Sequence, residues 1–228
     1  MTTSFDVAQR GPRMGLLGGT FDPIHLGHLA AAHAAQRALR LDRVRLVPAA
    51  RPPHRPDSPR ASEYHRLEML RRAIAGTAGW EVSDLELRRD GPSYTYDTLA
   101  HLHREGLTPL QLFFITGTDA FAEIATWHRY PEVLDAAHFA VVTRPGFTLP
   151  ALQARVPSLA DRMIEPAELD AASVPRIILI ESPTPDVSST DIRARAARGE
   201  SLTDLVPPEV AAYISQHHLY RRMAPSGS

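Results

Sequence analysis

His25 and His28 stand just after a stretch of glycine, threonine and proline whose residue types suit the binding of a phosphate. Residues 15–29 read Gly-Leu-Leu-Gly-Gly-Thr-Phe-Asp-Pro-Ile-His-Leu-Gly-His-Leu. Gly18 and Gly19 permit torsions and close approaches that a side chain forbids, and Pro23 fixes the loop before a helix expected to begin near Gly27. Amide groups at a helix start and the positive end of its dipole favour an anion, to which two imidazoles add donors. A zinc site on the same pair would need a third ligand, which nothing nearby suggests, and the chain has no cysteine. Either histidine could instead cap the helix or pack in the core. The glycines argue against that and favour a nucleotide site made by Gly18, Gly19, Thr20 and Phe21 with His25 and His28.

Far downstream, Ser188, Ser189 and Thr190 precede Arg193 at the expected start of another helix. Alone, such a cluster is an ordinary helix cap with a solvated arginine. Beside a phosphate loop it acquires a second use, because hydroxyls and free amides can hold a phosphate and a guanidinium fork can grip two of its oxygens.

Gly-Thr-Phe-Asp-Pro-Ile-His-Leu-Gly-His resembles the His-x-Gly-His signature of the adenylyl and cytidylyl nucleotidyltransferases, and the chain most resembles the bacterial nicotinate-nucleotide adenylyltransferases. Val187-Ser188-Ser189-Thr190-Asp191-Ile192-Arg193 is similar to that family's second signature. Pro52-Pro53-His54, Ser93-Tyr94-Thr95 with Asp97-Thr98-Leu99, Gly117-Thr118-Asp119, Trp127 and Arg144-Pro145-Gly146 resemble further landmarks between the two. The resemblance spans about Met14 to Leu219 and implies adenylyl transfer from ATP to nicotinate mononucleotide, giving nicotinate adenine dinucleotide and pyrophosphate in NAD biosynthesis. It implies His25, His28 and Arg193 as catalytic residues and places Gly117, Asp119, Ser188, Ser189 and Thr190 on the nucleotide, Asp119 at a ribose hydroxyl. For the acceptor it implies Tyr94 and Thr95, whose backbone amides meet the pyridine carboxylate, and Trp127, whose indole stacks on the ring. Packing in the core is the other use of Tyr94 and Trp127. Arg55 stands where the family has lysine, keeping the charge and changing its geometry.

Such chemistry needs no enzyme nucleophile; it needs positioning and charge stabilisation. Mg2+ is expected on the phosphates of ATP, with no metal ligands from the protein, because the sequence offers no compact carboxylate cage. Phosphopantetheine adenylyltransferase, a shorter relative, and a nucleotide-binding regulator without catalysis are the alternatives. Trp127 and the Tyr94-Thr95 segment argue against the first, and both histidines with Arg193 against the second. The Gly-x-Gly-x-x-Gly spacing of dinucleotide oxidoreductases is absent.

The elements that must hold these residues alternate. Strands are expected at Met14–Leu17, Arg43–Val47, Trp80–Ser83, Gln111–Thr116, His138–Thr143 and Arg176–Ile180. Helices are expected at Gly27–Leu41, Ser62–Ala75, Ser188–Arg198 and Pro208–His217, with Ser93–Arg104 a loop entering a helix. In Ser62–Ala75 the arginines are expected to face outward. Alternation of this kind predicts an α/β, Rossmann-like three-layer sandwich, a parallel sheet with helices on both faces and ligands beyond the strand C-terminal ends. Residues 1–13 are expected to form a flexible extension, 14–219 a single nucleotidyltransferase domain and 220–228 a flexible tail.

Composition narrows the classes. The chain has 228 residues, 43% hydrophobic content and a formal net charge of -1, enough for a substantial core and too balanced for a nucleic-acid surface. All 25 cationic side chains are arginine. That removes a Walker-type phosphate loop, Schiff bases and lysyl-nucleotide intermediates. No run reaches transmembrane length and Met1 to Gly15 lacks the apolar centre of a signal peptide, so a cytoplasmic monomer or small homo-oligomer is expected, with ATP and nicotinate mononucleotide as partners and no nucleic acid or membrane.

Overall fold

In the computed structural model, which describes residues 11–52, 59–143 and 149–221, seven strands form one parallel sheet. In chain order the elements are β1 (Met14–Gly19), α1 (Leu26–Leu39), β2 (Arg43–Pro48), α2 (Glu63–Ala73), β3 (Trp80–Val82), α3 (Thr95–Arg104), β4 (Leu112–Gly117), α4 (Thr118–Ala122), β5 (His138–Thr143), α5 (Leu149–Arg155), β6 (Met163–Ile164), β7 (Ile177–Glu181), α6 (Ser189–Arg198) and α7 (Pro208–Gln216). Strand order is β3-β2-β1-β4-β5-β7-β6, so the direction of winding reverses between β1 and β4. In an open parallel sheet that reversal leaves a crevice beyond the strand C-terminal ends.

Alternation along the central strands sends side chains into two separate cores. Phe113 and Ile115 of β4 join Leu17, Val44, Ala140 and Ile178 under α1, α2, α6 and α7. Their neighbours Leu112 and Phe114 join Leu16, Phe139, Val141 and Leu179 on the other face, against Leu99 and Leu102 of α3, Phe121 of α4 and Leu152 of α5. The sandwich expected from the alternation is therefore present, with helices on both faces.

Four expectations need correction. Gly18 and Gly19 do not open the loop after a strand ending at Leu17: they continue β1, paired with Val47 and Pro48. Arg66 does not face outward; it is fully buried. The ends of the fold also lie further out than expected. Arg13 is buried, donates its amide to Asp42 Oδ2 at 2.7 Å and pairs its guanidinium with Asp170. Tyr220 donates its hydroxyl to Asp22 Oδ1 at 2.8 Å, so neither residue belongs to a loose terminus.

Candidate active site

The glycines at the end of β1 serve close approach, since neither has a left-handed backbone. A Cβ on Gly19 would lie 3.2 Å from the Phe21 ring and one on Gly18 3.4 Å from the Phe114 ring. Phe21 itself takes the left-handed conformation, φ +49°, with its ring buried edge-on to His28 at 5.1 Å between centroids. The loop thereby turns at Phe21 and delivers His25 to the start of α1.

His25 is both the cap of α1 and part of the site. Its Nδ1 accepts from the His28 amide at 3.4 Å, an amide also bonded to the His25 carbonyl at 3.0 Å, and the two imidazoles stack at 3.6 Å. Burial pushes the His25 pKa down to about 4, because a charged ring would lose its hydration. A neutral imidazole that accepts at Nδ1 carries its proton on Nε2, so His25 enters the crevice as a donor. Gly27 keeps this geometry open: a Cβ there would meet His25 Nδ1 at 3.1 Å and the Pro185 carbonyl at 3.3 Å. The Leu26 amide is not free for an anion, since it donates to the Leu205 carbonyl at 2.9 Å.

His25 and His28 line a crevice of about 440 Å3 together with Gly18, Gly19, Thr20, Phe21 and Ser189 on one side and Gly117 and Asp119 on the other. It lies at the β1/β4 reversal, where the sheet's topology places a ligand. Asp119 is exposed, 3.7 Å from Arg155. At the opposite wall, Ser188 caps α6 by accepting from the Asp191 amide at 3.1 Å, and Ser189 donates to the Pro23 carbonyl at 3.0 Å, tying α6 to the phosphate loop.

Arg193 is held away from the crevice. Its Nη1 donates to the Asp22 carbonyl at 2.7 Å and its Nη2 to Thr190 Oγ1 at 3.2 Å. It lines a separate cavity with Arg60, Thr190, Tyr220 and Arg221, three of whose lining residues are arginines. Asp22, which accepts from Arg193, is buried and was left without a role by the sequence reading. Its carboxylate accepts from the amides of Arg60 at 2.8 Å and Ala61 at 3.0 Å as well as from Tyr220. Arg66 supports the same loop from below, donating Nη1 to the Thr20 carbonyl at 2.7 Å. Burial lowers its pKa and the Asp22 charge offsets part of that effect.

A second cavity, about 530 Å3, is lined by Tyr94, Thr95, Glu123, Trp127 and His128. Tyr94 and Thr95 lie at the N-terminus of α3, and the Tyr94 ring stacks on His128 at 4.1 Å. Trp127 packs edge-on against Phe114 at 5.7 Å and also lines the cavity. Ala120 lines both this cavity and the histidine crevice, so the two adjoin. His128 was missed because a histidine after tryptophan has no periodicity to mark it. Arg55, with Pro53-His54 and Arg144-Pro145-Gly146, lies outside the described residues. Among the described residues no group of three or more His, Asp or Glu side chains could hold a metal ion, and no helix is long and apolar enough to cross a membrane.

Residues 16–195 match the family model described as cytidylyltransferase-like, and the chain belongs to that family. It is 45% identical over 210 residues to a protein of a Roseiflexus species named probable nicotinate-nucleotide adenylyltransferase, covering 91% of this chain and 98% of that one. A protein of the same name from Moorella thermoacetica is 43% identical over 216 residues, 95% of each chain. The solved structure of Plasmodium falciparum nicotinic acid mononucleotide adenylyltransferase complexed with NaAD superposes with a TM-score of 0.70 over 92% of this chain and 97% of that one. At 19% identity that likeness shows a common fold. Within the family, the relatives place the chain among the nicotinate-nucleotide adenylyltransferases, enzymes of nucleotidyl transfer.

Proposed function

We propose that this enzyme transfers the adenylyl group of ATP to nicotinate mononucleotide, forming nicotinate adenine dinucleotide and releasing pyrophosphate for NAD biosynthesis. The observation that carries the reading is the adjacency of the two cavities at Ala120: a phosphate crevice holding two imidazoles opens beside an aromatic pocket. The names of the relatives support the same acceptor.

A phosphate oxygen of the acceptor attacks the α-phosphorus of ATP, and the bond from that phosphorus to the bridging oxygen breaks as pyrophosphate leaves. The protein's part is alignment and charge stabilisation. His25 donates through Nε2 and His28 acts beside it on the non-bridging oxygens. Gly18 and Gly19 at the end of β1 and Thr20 and Phe21 after it border the phosphates, with Ser188, Ser189 and Thr190 at the start of α6 on the other side. Arg193, with Arg60 and Arg221 facing the same cavity, draws charge toward the leaving pyrophosphate. Trp127 stacks on the pyridine, the backbone at Tyr94 and Thr95 receives its carboxylate, and Gly117 and Asp119 border a ribose. Arg55 serves the acceptor phosphate. ATP enters as its Mg2+ complex, a substrate, the ion riding on the phosphates. The enzyme works in the cytoplasm as a monomer or small homo-oligomer.

Pyrophosphate release from Mg-ATP, measured with nicotinate mononucleotide, nicotinamide mononucleotide and phosphopantetheine offered separately, tests the reading. The expected result is strong preference for the nicotinate form, lost in His28→Ala. Preference for another acceptor would retain the chemistry and overturn the pocket assignment; no release with any of them would overturn both.

A further inference from the structure

Glu86 lies in the loop between β3 and α3, buried and outside both cavities. Two hydroxyl groups converge on its carboxylate: Thr98 Oγ1 donates at 2.6 Å, and Ser93 makes a side-chain hydrogen bond to it as well. Ser93 Oγ also accepts from the backbone amides of Ala50 at 2.9 Å and Arg51 at 3.2 Å. A serine hydroxyl has two acceptor lone pairs and one proton. Both lone pairs are taken by amides, which leaves the proton for Glu86. The Ser93 amide in turn donates to the Arg51 carbonyl at 2.9 Å. Arg89 completes the group, with Nη1 3.4 Å from Thr98 Oγ1 and its charge offsetting that of the carboxylate.

These bonds join three segments: residues 50–51 beyond β2, the Ser93–Thr95 entry to α3, and the first turns of α3 at Thr98. We propose that Glu86 is a positioning residue for the acceptor: an acceptor-only group that fixes the Ser93 proton and so clamps the Tyr94–Thr95 backbone to the end of β2. The inference rests on the assignment of that backbone to the pyridine carboxylate. A carboxylate suits this place because it offers no donor. Two hydroxyl protons and a fixed donor-acceptor order are satisfied at once, and the amides at the head of α3 are aimed before the acceptor arrives.

Glu86→Leu removes both acceptor positions, whereas Glu86→Gln keeps one oxygen for Ser93 and lets Thr98 reverse. With Glu86→Leu the KM for nicotinate mononucleotide rises about tenfold or more, the size expected when a hydrogen bond to a charged group is lost, while the KM for ATP stays within about twofold and kcat at saturating acceptor is largely kept. Glu86→Gln recovers most of the acceptor KM. Amide hydrogen exchange at Ala50 and Arg51, read in the whole enzyme without substrate, quickens in Glu86→Leu. A variant whose KM values and kcat all worsen together in step with a lower melting temperature shows a merely structural residue and overturns the proposal. So does unchanged exchange at Ala50 and Arg51, whichever acceptor the enzyme takes. A wild-type enzyme that fails to use nicotinate mononucleotide overturns the proposed function first and the acceptor role of Glu86 with it, an outcome visible before any variant is made.

Discussion

Acidification from pH 7 to pH 5 is expected to weaken this fold through two buried imidazoles, one in the site and one in the sheet. His138 opens β5, stacked on Phe113 at 4.7 Å, and its Nδ1 accepts from the Arg176 amide at 3.1 Å. Burial, reinforced by the charges of Arg13 and Arg176, pushes its pKa down to about 4, the same value as His25. In the unfolded chain both rings titrate near 6.5. Between these values the unfolded state binds more protons than the native state, so the stability they permit is present above pH 6.5 and is lost as pH falls toward 4. Linkage gives a loss of about 2 kcal/mol per histidine between pH 7 and pH 5, hence about 4 kcal/mol for the pair. Glu86, whose pKa burial raises, acts in the opposite sense, so the decisive quantity is a difference between two proteins. His138→Asn keeps an acceptor for the Arg176 amide and removes the titration. Urea unfolding at both pH values should show the variant less stable at pH 7 because of the lost packing, yet losing about 2 kcal/mol less than the parent on going to pH 5. Equal losses in the two proteins would refute the neutral, buried His138 and weaken the same reasoning for His25.

Gly27→Ala sets a methyl 3.1 Å from His25 Nδ1 and 3.3 Å from the Pro185 carbonyl, so kcat is expected to fall severalfold with little change in melting temperature; steady-state kinetics with an unchanged kcat would show that the ring tolerates displacement. Gly79→Ala combines φ +78° with a Cβ 2.9 Å from the Asp42 carbonyl, and denaturant titration should record a loss of about 2 kcal/mol, well beyond the fractional gain alanine brings at a compatible site. Tyr220→Phe deletes the hydroxyl that donates to Asp22, at an expected cost of about 1 kcal/mol, and a wild-type urea midpoint would mean that this bond is worth nothing.

Periodicity made most of the fold legible because it is set by neighbours along the chain. Leu112–Ile115 and Phe139–Val142 are apolar throughout and buried, and the Ser62 cap marks the start of α2. What escaped reading depends on partners distant in sequence. Arg66 sits in a helix rich in arginine and is distinguished from Arg71 and Arg72 only by the Thr20 carbonyl 46 residues away. Gly18 and Gly19 have the composition of a turn, yet β2 runs far enough alongside, to Pro48, to hold them as strand. Met163–Ile164 is too short to show alternation. The site divides in the same way. Its crevice residues come from contiguous motifs and assemble as expected, while Arg193 shares its motif with Ser189 and still faces another cavity, because the Asp22 carbonyl holds it there.

Asp22 explains how so short a loop is held in one conformation. A loop that had to order itself around ATP would spend binding energy on its own entropy. Here the Asp22 carboxylate accepts two amides from residues 60–61 and the hydroxyl of Tyr220, its carbonyl takes Arg193, and the carbonyl of Thr20 takes Arg66. Segments from four parts of the chain thus converge on Thr20 and Asp22. The charges are arranged to match. Asp22 is a buried carboxylate beside Arg66 and Arg193, and its charge offsets part of the cost of burying Arg66. The loop's geometry is set by hydrogen bonds within the fold, which is the condition under which electrostatic stabilisation of an anion costs least reorganisation.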